Sequence, residues 1–126
     1  MAKLVLVIDD EPDITTYYST LLGDSGWQVA VANSGDDGLV LAEQQVPDII
    51  VLDVMMPDRG GLSTLVALRK NEKTAKVPVV LVTGIQESLT HDFGDYLKRF
   101  HHYHPDAYIE KPIDPEILLA KLDELT

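Results

Sequence analysis

Five side chains of this 126-residue chain could do chemistry together, and each lies within two residues of the end of a short apolar run. Asp9 and Asp10 follow Leu4–Ile8, Asp53 follows Ile49–Leu52, Thr83 follows Val79–Val82, and Lys111 follows Ala107–Ile109 with Glu110 between. Three carboxylates drawn into one cleft repel, and each raises the pKa of the others. A hard divalent cation removes that conflict, and Mg²⁺ is commonly held by one or two carboxylates with water and phosphate oxygens. The Thr83 hydroxyl and the Lys111 ammonium can donate to an anion built on the Asp53 carboxylate. A carboxylate nucleophile, a divalent cation and a lysine together fit phosphoryl transfer to aspartate. Taken singly, each residue has a plainer reading: a helix cap or loop acid for the aspartates, a satisfied core hydroxyl for Thr83, a solvated charge for Lys111. Which reading holds depends on the elements that carry them.

Leu4–Ile8, Ile49–Leu52 and Val79–Val82 are too short and too β-branched for helices. They read as strands buried on both faces, as in a parallel sheet. Trp27–Ala32 and Ala107–Ile109 are weaker strands. Between them lie helical patterns. Pro12 suits a first turn, and Ile14, Tyr18, Leu21 and Leu22 make an apolar stripe that Gly23 and Gly26 are expected to break. Ser34 is a candidate N-cap for a helix through about Gln44, with Leu39 and Ala42 inward. A third helix is expected from about Leu62 to Lys70, with Leu62, Leu65, Val66 and Leu68 as core candidates. A fourth carries Leu89, Phe93, Leu97 and Phe100. Asp114 caps a fifth, with Leu118, Leu122 and Leu125 inward.

Strands alternating with helices argue for a parallel sheet covered on both faces. The most apolar strands belong inside and the weaker ones at the edges. The expected fold is therefore α/β: a doubly wound, flavodoxin-like five-stranded parallel sheet of order 2-1-3-4-5 with five helices. Right-handed crossovers put every strand's carboxyl end on one rim, where open α/β sheets bind ligands. That topology brings Asp9, Asp10, Asp53, Thr83 and Lys111 to the same place.

Composition narrows the partners. Ten Lys plus Arg against 21 Asp plus Glu give a formal charge of −11. Such a field repels phosphate backbones, so direct nucleic-acid binding is not expected. The chain has no cysteine, which excludes disulfides, thiolate metal sites and Cys nucleophiles. Neither a signal-peptide pattern nor a membrane-length apolar run is present, so a cytoplasmic protein is the default.

The motifs VLVIDDEP, IIVLDVMMPDRGG, VVLVTG and YIEKP occur in that order along the chain. In order, spacing and chemistry the whole sequence resembles the receiver domains of two-component response regulators, the family of chemotaxis-regulator-like switches. The resemblance implies one receiver domain over residues 1–126 with no output domain in this chain. It implies a phosphorylation-activated switch, not an enzyme in the ordinary sense, although such a domain takes part in its own phosphorylation and dephosphorylation. Asp53 is then the phosphoacceptor for a histidine kinase or phosphotransfer protein. Asp10 binds Mg²⁺ (or Mn²⁺) directly, Asp9 acts through water, and Asp53 and the Met55 carbonyl complete the metal site. Thr83 and Lys111 contact the phosphoryl group, Tyr108 is the switch aromatic, and the Lys111–Pro112 peptide is cis. The surface of the fourth helix, fifth strand and fifth helix engages a downstream protein target. The implied state is a monomer or a weak phosphorylation-dependent dimer, with no membrane contact.

The sequence departs from the family pattern in two places. Gly60 stands where an acid is common, so any cap that acid gives the third helix is lost. The interval from Thr83 to Lys111 is also long. His101, His102 and His104 within it lack the i, i+4 spacing of helical zinc motifs, so the segment reads as a solvated, partner-facing loop. Among rival functions, a phosphatase of the haloacid-dehalogenase kind needs an acid two residues after its nucleophile, and Asp53 is followed by Val54 and Met55. A flavin-binding module needs a phosphate-cradling first loop, and here that loop is Asp-Asp-Glu. A degenerate receiver that only binds proteins would not need the full set of five residues.

Overall fold

The computed structural model describes residues 2–54, 60–84 and 105–126. Its strands are β1 (Leu4–Ile8), β2 (Gln28–Ala32), β3 (Ile49–Asp53), β4 (Val79–Thr83) and β5 (Ala107–Glu110). They form one parallel sheet in the order β2-β1-β3-β4-β5. The described helices are α1 (Pro12–Asp24), α2 (Gly35–Gln44), α3 (Gly61–Lys70) and a C-terminal helix, Pro115–Leu125. The helix expected over Leu89–Phe100 and the histidines after it lie outside the described residues. Among the described residues no helix is long and apolar enough to cross a membrane.

Side chains alternate across a strand, so each interior strand feeds two cores. Leu6, Ile8, Ile50, Leu52, Val79 and Leu81 pack on one face with Ala42 of α2 and Leu65 and Leu68 of α3. Val5, Val7, Ile49, Val51, Val80 and Val82 pack on the other with Tyr18 and Leu22 of α1 and Leu118 and Leu122 of the C-terminal helix. Double burial explains the unbroken apolar runs of β1, β3 and β4. The edge strand β2 is half-exposed over much of its length, which is why its residues are smaller and more mixed.

Helix ends follow the local chemistry. The Ser34 hydroxyl accepts from the Asp37 amide at 3.1 Å, and the Asp114 carboxylate accepts from the Glu116 amide at 2.9 Å. The third helix starts at Gly61, and its N-cap Gly60 makes no side-chain bond. Two expectations need correction. Gly23 does not break the first helix, which runs on to Asp24. Termination is done by Gly26, whose φ of +94° lets the Trp27 amide turn back to the Leu22 carbonyl at 3.0 Å. In α3 the buried set is Gly61, Thr64, Leu65 and Leu68. Val66 is half-buried, because Thr64 takes the inward position and bonds the Gly60 carbonyl at 3.1 Å.

The rim opposite the acidic residues is tied by two carboxylates. Asp48 accepts from the Leu4 amide at 2.7 Å, which joins the starts of β1 and β3. Asp106 accepts from the Val79 amide at 2.8 Å and from Arg69 at 2.8 Å, which joins the starts of β4 and β5 to α3. Arg69, itself largely buried, also donates to the Val77 carbonyl at 2.6 Å. Asp106→Ala leaves the Val79 amide and part of the Arg69 charge unmatched. It is expected to lower stability by about 2 kcal/mol, whereas Asp106→Asn keeps an acceptor and loses less. Urea unfolding at constant m-value measures both.

Candidate functional site

Register decides which groups meet. Ile8 pairs with Leu52, and Asp53 pairs with Val82. Asp9 is one residue past β1, and its amide closes a last rung to the Ala32 carbonyl at 3.1 Å. Asp53 is the last residue of β3, and Thr83 is the last of β4. The Lys111 amide bonds the Thr83 carbonyl at 2.8 Å, which carries the β4–β5 ladder to the lysine. Asp9, Asp10 and Asp53 each offer an oxygen, and these oxygens lie within 4.8 Å of one another. Lys111 Nζ is 3.3 Å from Asp53 Oδ1. The Lys111–Pro112 peptide bond is cis.

Asp9, Asp53 and Thr83 are 3%, 5% and 1% exposed, while Asp10 is half-buried. Thr83 Oγ1 is buried and has no hydrogen-bond partner among the described residues. A buried hydroxyl left without a partner is costly unless a ligand satisfies it. Burial pushes the Asp9 carboxyl up to about 6, opposed by the Glu11 amide that bonds it at 3.0 Å and reinforced by the Asp53 and Asp10 charges. For Lys111, burial favours the neutral amine, but the Asp53 charge and hydrogen bond, with Asp9 and Glu11, outweigh it and hold the pKa above the usual lysine value. Burial raises the Tyr18 phenol too, and the Asp9 and Asp53 charges add to that.

Gly61 is a site residue that its type alone did not mark out. A Cβ there would collide with the Asp53 carbonyl oxygen and stand 2.6 Å from Val54 Cα. Its amide bonds the Val54 carbonyl at 2.9 Å. The start of α3 therefore rests directly on the backbone of Asp53, where no side chain fits. A G-G pair after an acidic strand end was the available signal. Tyr108 sits on β5 opposite Leu81 and is 44% exposed. Met55 lies outside the described residues.

The profile of the response regulator receiver domain matches residues 5–123. The chain belongs to the response regulator receiver family. The DNA-binding dual master transcriptional regulator RpaA of Synechocystis is 36% identical over 121 residues, which are 96% of this chain and 48% of that protein. The chain thus spans about half the length of that regulator. Protein PilH of Pseudomonas aeruginosa is 32% identical over 119 residues, 94% of this chain and 93% of PilH. The solved receiver domain of a sensor histidine kinase from Pseudomonas aeruginosa, with a magnesium ion coordinated in its active-site cleft, has a TM-score of 0.86 at 24% identity, covering 99% of this chain and 98% of that one. Receiver domains are signalling switches.

The Asp9 shift has a consequence for stability. Its carboxyl pKa rises from 3.8 to about 6, so the folded protein binds the proton more tightly than the unfolded chain. That contribution is fully present below about pH 4 and is lost as pH rises through about 6. Without divalent cation, Asp9→Asn should match the parent near pH 4 and exceed it in stability by on the order of 2 kcal/mol near pH 8. Urea unfolding of both proteins in a chelating buffer across that range checks the sign.

Proposed function

We propose that this chain is a phosphorylation-activated signalling switch in which Asp53 accepts a phosphoryl group from a histidine kinase or phosphotransfer protein. The observation that supports the reading is the convergence of three carboxylates with Lys111 paired to Asp53. The donor set fits a hard divalent cation, because it consists of carboxylate oxygens whose mutual repulsion a cation relieves. Asp10 and Asp53 would hold Mg²⁺ or Mn²⁺ with the Met55 carbonyl, and Asp9 would act through water. When bound, the ion supplies charge neutralisation for the carboxylates and the incoming phosphoryl oxygens. An Asp53 oxygen attacks phosphorus, a new O–P bond forms, and the P–N bond of the phosphohistidine donor breaks with the electron pair leaving on the imidazole. Lys111 stays charged throughout, and so it can leave Asp53 for the new phosphoryl oxygens. Thr83 gains the partner its buried hydroxyl lacks.

Thr83 ends β4 and Lys111 directly follows β5, so their movement toward the phosphoryl group biases the fifth strand and the C-terminal helix. Tyr108 changes rotamer in that response, and the surface that includes β5 engages the downstream protein. The acidic charge argues that this domain makes no direct nucleic-acid contact, even where a longer relative binds DNA. The domain works in the cytoplasm as a monomer or a weak phosphorylation-dependent dimer.

With Mg²⁺ and a small phosphodonor or a cognate kinase, the protein should gain an acid-stable, base-labile phosphoryl group on Asp53. Asp53→Asn should gain none, and Asp10→Ala should lose labelling through loss of the cation. Undiminished labelling of Asp53→Asn would refute the assignment, and an unlabelled parent would leave a protein-binding module. A separate pair of variants divides chemistry from response. Lys111→Ala and Thr83→Ala should still bind Mg²⁺ but lose most of the phosphorylation-dependent change in amide exchange along β5 and the C-terminal helix.

A further inference from the structure

The loop carrying Asp9 and Asp10 is held by an anchor that belongs to neither the carboxylate set nor the phosphoryl donors. The β1–β2 ladder has a fixed rhythm. The Gln28 amide bonds the Lys3 carbonyl at 2.9 Å, and the Asp9 amide bonds the Ala32 carbonyl at 3.1 Å. Carried one rung further, the Asp9 carbonyl would receive the Ser34 amide. Ser34 has left the strand to cap α2, where its hydroxyl takes the Asp37 amide. The side chain of Asn33 fills the missing rung: its Nδ2 donates to the Asp9 carbonyl at 3.1 Å. The same nitrogen lies 3.4 Å from Thr15 Oγ1, and that buried hydroxyl donates to the Pro12 carbonyl at 2.9 Å.

The Asp9 carbonyl belongs to the peptide that links the two acids. A peptide is planar, so fixing its oxygen fixes the direction of the Asp10 amide and the position of the Asp10 Cα from which its side chain starts. Asp9 is thereby held at its amide by Ala32, at its carbonyl by Asn33 and at its carboxylate by the Glu11 amide. The half-buried Asp10 depends on that peptide for its orientation toward Asp53.

We propose that Asn33 is a positioning residue that holds the Asp9–Asp10 peptide so that both carboxylates face Asp53, and that it thereby strengthens divalent-cation binding. The inference rests on reading the acidic cluster as a cation site. Its test titrates Mg²⁺ alone into the whole chain and follows the Asp10 and Glu11 amides by NMR, in the parent, Asn33→Ala and Ser34→Ala. Asn33→Ala should bind Mg²⁺ about three- to tenfold more weakly. Its Asp10 amide should already be shifted before any cation is added, with the α2 amides unchanged. Phosphorylation at saturating Mg²⁺ should approach the parent rate, so the loss appears in the Mg²⁺ dependence. Ser34→Ala removes a helix cap one residue away. It should lower the unfolding midpoint while leaving the Mg²⁺ affinity at the parent value. If Asn33→Ala binds Mg²⁺ as tightly as a parent that does bind it, or merely loses stability as Ser34→Ala does, the Asn33 assignment is overturned alone. A parent that binds no Mg²⁺ at these amides overturns the cation-site reading and the assignment with it.

Discussion

Repulsion among three carboxylates is the constraint around which this molecule is arranged. Their oxygens lie within 4.8 Å of one another, on a chain whose formal charge is already −11. Two of the three groups are nearly buried. Burial strengthens every charge interaction and penalises each ionised group. Burial raises the Asp9 pKa, with the Asp53 and Asp10 charges adding to it, and against burial the Asp53 charge holds the Lys111 pKa up. A site of this kind is under tension until a cation or a redistributed charge relieves it, which is what a switch requires.

The sheet makes that tension sustainable. Three interior strands with apolar side chains on both faces lock the register, because a slip of one residue would exchange the two cores. Asp53 therefore cannot retreat from Asp9. At the far rim Asp48 and the Arg69–Asp106 pair bind the strand starts together. The strand ends that lead to Thr83 and Lys111 are joined by the backbone ladder, and Lys111 pairs with Asp53. The rim at the strand starts is thus tied by polar bonds, while at the other rim the Lys111 contact to Asp53 depends on charge.

Close packing around the site is backbone-deep. Gly61 brings α3 against the Asp53 carbonyl, and Asn33 supplies a rung that the turning backbone cannot. Neither residue carries charge, and neither announces chemistry by type. Both act on the direction in which a charged neighbour points, and in a cluster this tight a small change of direction alters the electrostatic balance.

Much of this was written locally in the chain. The unbroken apolar runs required double burial and hence a parallel sheet, the weaker runs required edges, and the aspartates, Thr83 and Lys111 stood at strand ends by their sequence positions alone. Ser34 and Asp114 could be recognised as caps because a cap bonds an amide two or three residues away. Tertiary structure decided the rest. The extension of α1 past Gly23 and the burial of Thr64 in place of Val66 turn on how a helix seats against its neighbours. The bonds from Asn33 to Asp9, from Arg69 to Asp106 and from Leu4 to Asp48 span 24, 37 and 44 residues. Periodicity and capping are properties of residues within one or two turns of each other, so composition and spacing reveal them. Contacts across tens of residues exist only once register and crossover have placed two elements side by side, and no local pattern in the chain encodes which polar atoms will then face each other.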